Sequence, residues 1–229
     1  MTDAVLALLQ FGDGLFPAGG FAHSLGLETY AQERRVTDAA GLQALVVAHL
    51  EACAGPADAP AAALAAARAA AGDVEGCVAV DARLDAMKCV PEFRAASRQM
   101  GRQTLRVAAA LGDDAVLAAL ARAVESGRAP GHHPVAFGAA VGRAGAGPEQ
   151  AAAALLYSTA ALLTGAGLRL LALGQLDAQR VLAAVRPRIA RLAAAAARAT
   201  TADDLWSFAP GLELAGLRHA SLEARLFRS

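Results

Sequence analysis

Apolar positions along this chain fall mostly at helical spacing, and they predict one helix after another. Asp3 to Gln10 reads as a short apolar helix. Thr37 and Asp38 are placed to cap a helix running to about Cys53, with Leu42, Leu45, Val46 and Leu50 on one face. Pro56 and Pro60 predict its end and the start of an Ala-rich helix reaching about Ala71. Asp73 opens another through Lys88, and Pro91 suits the first turn of the next, PEFRAASRQMGRQTLRVAAALG. Further helices follow over Asp113 to Glu125, from Gly131-His132-His133-Pro134 onward, and over Ala151 to Leu168. In that last helix Leu155 and Leu162, and then Leu156, Leu163 and Leu170, repeat by sevens, a seam for helix packing. Gly174 reads as a C-cap, Asp177 as the cap of the helix after it, and Pro187 as a kink. The expectation is an all-α, single-domain bundle of about ten helices over residues 1–229, with 210–229 a partly flexible tail.

One stretch breaks the pattern: Gly12 to Glu28, GDGLFPAGGFAHSLGLE. Gly12, Gly14, Gly19, Gly20 and Pro17 force the backbone to turn rather than coil. Phe16 and Phe21 sit inside the turn, so the loop is expected to pack against something. Phe21, Leu25, Leu27 and Glu28 then follow at helical spacing, as in a loop feeding a helix. A phosphate cradle does not fit. Pro17 breaks the dinucleotide fingerprint, and the chain's one lysine, Lys88, is followed by Cys89 rather than Ser or Thr.

Composition sharpens the fold and narrows the function. Hydrophobic residues make up 56% of the 229, chiefly alanine, and aromatics only 4%, which favours close-packed helices over a sheet. Lysine plus arginine and aspartate plus glutamate number 21 each, so there is no basic footprint for nucleic acid. Cys53, Cys77 and Cys89 form no C-x-x-C pair and read as buried free thiols. With no basic start leading into an apolar signal core, they imply a reducing, cytoplasmic setting. Ala151 to Leu168 carries no charge and is of borderline length for a membrane span, but its Ala, Gly, Ser and Thr content predicts a buried bundle helix.

Candidate chemistry is sparse. His132 and His133 suggest a metal, yet neighbours on a helix project about 100° apart and no third ligand is set by spacing. His23, Ser24 and Glu28 could share one helical region, but adjacent residues diverge there, so His23 is poorly placed as a base for Ser24. No G-x-S-x-G, H-E-x-x-H or matched carboxylate pair is present. Arg94, Ser97, Arg98 and Gly101 line adjacent faces of the helix from Pro91, either as a solvated face or with a purpose.

These stretches also carry a resemblance. PAGGFAHSLGLE, with Pro17, Gly19, Gly20, Phe21, Ser24, Gly26 and Glu28, resembles the N-terminal signature of the urease accessory protein F family. Glu92-x-Arg94-x-x-Ser97 followed by Gly101 is similar to the family as well, where the Gly permits close helix approach, and so is HHPVAFGAA. Arg169, Leu170, Leu173, Gly174, Gln175 and Gln179 match its Arg-Leu-x-x-Leu-Gly-Gln-x-x-Gly-Gln turn, with Ala178 where Gly is usual. At the end His219, Arg225, Leu226, Phe227 and Ser229 match, while Ala220, Glu223 and Ala224 replace the family's Glu, Tyr and Ser.

The resemblance implies an all-α, non-catalytic maturation factor for a nickel urease. Such a protein pairs with a D- or H-type accessory protein and recruits the GTPase accessory protein G to apo-urease, whose active-site lysine is carbamylated. Relatives dimerise, and nickel and GTP are handled by the partners, so no cofactor of its own is implied. Arg94, Arg169, Gln175, Gln179, His219, Arg225, Leu226, Phe227 and Ser229 become candidate partner contacts. The tail is expected to stay disordered until a partner orders it, so that its deletion would spare stability. The opposing expectation is that Phe227 folds back into the protein's own core. The rival function is a generic helical scaffold unrelated to urease.

Overall fold

The structure, a computed structural model, describes residues 2–229, and among these it contains eleven α-helices and no strand. They are α1 (Thr2–Gly12), α2 (Leu27–Gln32), α3 (Ala39–His49), α4 (Ala59–Ala70), α5 (Val74–Met87) and α6 (Pro91–Ala110), then α7 (Ala115–Glu125), α8 (His133–Arg143), α9 (Pro148–Leu170), α10 (Gln175–Ala196) and α11 (Pro210–His219). Local chemistry sets many starts. Asp38, Asp73 and Asp114 each accept a backbone N–H of the turn they open, from Gly41, from Gly76 and from both Val116 and Leu117. Pro91, Pro134 and Pro148 occupy first turns, where the missing N–H costs nothing.

Small residues let the helices approach closely. Along α8, Gly138 and Gly142 lie on the backbone of Ala62 and Ala66 in α4, leaving no space for a Cβ at either glycine. Nine of the twelve residues of α4 are buried, so this alanine helix is the centre of the bundle. The Leu155, Leu156 and Leu163 seam of α9 is buried, and α9 packs on both α4 and α10. Among the described residues α9 alone is long and apolar enough to cross a membrane, and half of its most apolar window is inside the bundle.

Several expectations are corrected. Pro56 and Pro60 do not end a helix, because α3 runs through a π-helical segment, Leu50–Asp58, straight into α4. Pro56 sits within the wider π turn, and Pro60 sits in the first turn of α4. The carbonyls of Ala52 and Pro56 accept the N–H groups of Phe208 and Trp206 at 3.0 and 3.1 Å, tying down the extended residues 205–209. Gly174 is an N-cap with φ −83°, not a left-handed C-cap, and Asp177 lies in the first turn of α10, where the helix dipole favours a negative charge. Pro187, where a kink is expected, lies inside α10, and the helix continues past it to Ala196. The carbonyl that Pro187 strands belongs to exposed Ala183, where water can serve it.

Phe21 is also corrected. It lies in a short 3₁₀ turn, Gly20–Ala22, ahead of α2 rather than within it, and is 73% exposed. The left-handed φ values of Gly19 (85°), Leu25 (50°) and Gly26 (91°) prevent one continuous helix there. Phe16 does pack, with its ring centroid 4.8 Å from that of Phe11. Of the thiols only Cys77 is fully buried, and Cys89 is exposed because it lies in the turn between α5 and α6. The tail is not free. Beyond α11 the chain folds back, burying Phe227 and Ser229 while Leu226 points outward.

Candidate functional site

The residues from Ala22 to Glu28 and those from His219 to Ser229 meet, so the two ends of the chain form one site. At its centre is Glu28, only 2% exposed and in the first turn of α2. Its Oε1 accepts the N–H of Leu226 at 2.6 Å, and its Oε2 accepts the N–H of Phe227 at 3.0 Å. His219 Nε2 lies 3.0 Å from the same Oε2. The other ring nitrogen, Nδ1, lies 2.7 Å from Oε2 of Glu92 on α6, whose Oε1 accepts from Arg225 at 3.0 Å. A fully buried histidine thus bridges two carboxylates from different helices, and both carboxylates also hold the tail. Charge-assisted bonds of this kind are the stronger class, which explains why a short terminal peptide stays in place.

The last residue is held by a small backbone nest. The N–H groups of Ser24 and Leu25 donate to the main-chain oxygen of Ser229 at 2.6 and 3.1 Å, and the Ser24 hydroxyl donates to it at 2.8 Å. The left-handed turn at Leu25 and Gly26 brings these donors together on one main-chain oxygen. His23 Nδ1 lies 2.9 Å from the Ser229 hydroxyl, and burial, helped by nearby Arg228, pushes the His23 pKa below its usual value. Ser24 and His23 are therefore both engaged by Ser229 and do not form a nucleophile–base pair. Arg169 closes the cluster. Its guanidinium donates to the Phe21 carbonyl at 2.7 Å and lies 4.1 Å above the Phe227 ring, a cation–π contact.

Among the predicted residues the structure brings together Ser24, Gly26, Glu28, Phe21, Arg169, His219, Arg225, Leu226, Phe227 and Ser229. Gly19 and Gly20 shape the approach, and Pro17 is exposed at the loop's edge. Gly101 stands elsewhere, where α6 crosses the start of α8; a Cβ there would collide with the Gly131 carbonyl and the His132 backbone. Arg94 donates from Nε to the Lys88 carbonyl at 2.7 Å, holding the α5–α6 turn. Gln175 and Gln179 are exposed on the first turns of α10 and, among the described residues, are not hydrogen-bonded to the cluster, and neither is Gly174. Ala178 is buried, whereas Ala220, Glu223 and Ala224 are exposed.

Sequence reasoning missed the bridging role of Glu92 and the peptide contact from Gln32, which donates to the Ala224 carbonyl at 2.7 Å. Glu92 heads the Glu-x-Arg-x-x-Ser stretch and reads there only as part of a pattern. Nothing local marks it as a neighbour of a histidine 127 residues away.

The adjacent histidines serve the interior. His132 Nε2 lies 2.8 Å from Asp85 and Nδ1 lies 3.0 Å from Ser97, while Arg98 donates twice to the same Asp85 oxygen. Burial drives the His132 pKa down to about 4 despite that carboxylate. Asp81 accepts the N–H groups of Gly131 and His132, and burial raises its pKa to about 6. No group of three His, Cys, Asp or Glu among the described residues is close enough to share a metal.

Fold and site together define an all-helical scaffold that carries its own C-terminal peptide as a fixed surface element. The family model described as UreF matches residues 36–186, well over half of the chain. Similar proteins include the urease accessory protein UreF of Paenarthrobacter aurescens strain TC1, 33% identical across 98% of this chain and 97% of its own length. UreF of Rhizobium leguminosarum bv. trifolii strain WSM2304 is 36% identical across 99% and 97%. UreF of Thermosynechococcus vestitus is 34% identical across the whole of both chains. The chain belongs to the UreF family of urease accessory proteins.

Proposed function

We propose that this protein is a non-catalytic adaptor in urease maturation. Together with a D/H-type accessory protein it recruits the GTPase accessory protein G to apo-urease for nickel insertion, and it modulates that GTPase. It acts in the cytoplasm as a homodimer and needs no cofactor, since nickel and GTP are handled by its partners. Membership of the UreF family supports the urease part of this reading and disfavours an unrelated scaffold. The balance of 21 basic and 21 acidic residues gives no footing for a nucleic-acid partner.

One structural observation supports the docking part. The clamp that buries Phe227 holds Leu226 outward, 62% exposed, with Arg225 exposed beside it. An apolar anchor fixed in place before binding has already lost the conformational freedom that a disordered tail would lose on docking. Burying Leu226 against a partner would then contribute roughly 1.5–3 kcal/mol. The D/H-type protein is assigned to this outer face of the tail.

Co-expression with a D/H-type protein tests the assignment. Leu226→Ala should leave the melting temperature unchanged while weakening co-purification and urease activation. Phe227→Ala should lower both stability and binding. A Leu226→Ala variant that binds as tightly as the wild type would remove the tail from the interface.

A further inference from the structure

A second polar site lies apart from the tail clamp. A cavity of about 50 Å³ opens between the end of α3, the π segment, the α5–α6 turn and the extended residues 205–209. Its border includes His49, Cys53, Lys88 and Ser207, with Leu84, Met87 and Phe93 as apolar walls. His49 is only 5% exposed, and its Nδ1 is the buried side-chain nitrogen or oxygen that, among the described residues, finds no hydrogen-bond partner. Orphaned groups of this kind are rare in folded proteins, because each forfeits its bonds to water without replacement.

A complementary donor faces the same space. Lys88 gives one N–H to Asp58 at 2.8 Å, and among the described residues no other acceptor takes its remaining hydrogens. With its side chain 16% exposed, the ammonium is largely out of solvent. Burial pushes the His49 pKa down to about 4, so at neutral pH the ring is uncharged and carries one lone pair and one N–H. The Ser207 hydroxyl donates to the Ala52 carbonyl at 3.3 Å and keeps its lone pairs for a further donor. A water needs roughly 10–15 Å³ and two to four polar partners, and this cavity exceeds the first requirement and supplies the second.

We propose that the cavity is an internal hydration site, in which Lys88 donates to a bound water and the water donates to His49 Nδ1. The Asp58–Lys88 ion pair then extends through water to the last turn of α3. His49 Nδ1 then has a hydrogen-bond partner, and the ion pair beside the π segment is joined to it.

The test uses the full chain in crystals that resolve ordered water, with xenon under pressure as a second probe. The expected result is a water peak at about 2.7–3.2 Å from His49 Nδ1, and no xenon in the cavity, since xenon enters dry apolar space. Empty density beside Nδ1, or a xenon atom against the imidazole, would overturn the proposal. His49→Leu should fold, lose the water and admit xenon. A water retained at the same place in that variant would show that His49 does not hold it. Should the variant fail to fold, the wild-type water and xenon maps decide the question by themselves.

Discussion

Glu28 and Phe227, 199 residues apart in sequence, are joined by a 3.0 Å hydrogen bond from the Phe227 N–H to Glu28 Oε2. The same carboxylate also takes the Leu226 N–H and faces His219, so one nearly inaccessible side chain organises both ends of the chain. Without it two backbone donors and a buried imidazole would lose their acceptor together.

Glu28→Gln is the sharpest test of that arrangement. The amide keeps the shape but turns a donor toward groups that themselves donate. A loss of roughly 2–4 kcal/mol is expected, given that buried bonds to charged groups contribute about 1.5–3 kcal/mol and a bereft partner adds its desolvation cost. Urea unfolding would measure the loss, and limited proteolysis should cut the released tail near residues 220–226. An unchanged midpoint with a protected tail would show the clamp to be redundant.

Removing residues 220–229 should lower the melting temperature. Exposing the Phe227 site forfeits about 1.5–3 kcal/mol of burial, and Glu28 is left without its backbone donors. For a chain of this length each kcal/mol corresponds to about 2–4 °C, so calorimetry should show a drop of roughly 5–15 °C. A melting temperature equal to that of the full chain would mean the tail docks without stabilising the bundle.

Two glycines on long helices should respond in opposite ways. Gly101→Ala places a methyl group against the Gly131 carbonyl, and overpacking of this sort costs about 1–3 kcal/mol or more. Gly165, in the middle of α9, faces open space among the described residues where a Cβ would stand, and Gly165→Ala should stabilise by about 0.5–1 kcal/mol through helix propensity. Chemical denaturation of both variants gives the contrast, and equal effects would contradict the packing.

Stability should fall as the pH drops from about 6.5 toward 4. Burial holds His49, His132 and His133 at about 4 in the folded chain, below their usual 6.5. A depressed histidine stabilises the fold above 6.5 and loses that contribution as pH falls to its folded value, because only the unfolded chain takes up the proton. Asp81 opposes this. Raised to about 6 from 3.8, it contributes below 3.8 and loses that contribution as pH rises through 6. Three histidines against one aspartate leave about two protons taken up on unfolding near pH 5, a slope of roughly 2–3 kcal/mol per pH unit. Urea midpoints between pH 7 and 4.5 would show it, and His49→Leu should flatten the curve. A profile level across this range would mean that the histidines take up their protons within the folded chain.

Purified alone, the protein should bind no GTP. Its one lysine, Lys88, is committed to Asp58 and follows no glycine-rich loop. Titration calorimetry with GTP and magnesium should give no binding heat, and a saturable isotherm would contradict this.

Much of the helical architecture was legible in the sequence because its causes are local. Asp38 and Asp73 cap by reaching three residues ahead, and Pro91 sits where its missing N–H does no harm. The alanine run before Ala71 has the highest helix propensity available, and the buried leucines of α9 repeat along one face. The glycine-rich break after α1 was visible for the same reason, since Gly19 and Gly26 take up left-handed geometry within their own turns. Tertiary structure decided the rest. Pro56 ends no helix because a wider π turn accommodates it and the bundle supplies partners for the carbonyls around it. Phe227 is buried, not free, because Glu28, Glu92 and Ser24 stand where a folded chain of more than 200 residues brings them. Helix caps and apolar periods depend on neighbours within a turn, which a sequence displays directly. A carboxylate's choice of backbone donors across the whole chain depends on how the helices pack, and only the folded molecule fixes that.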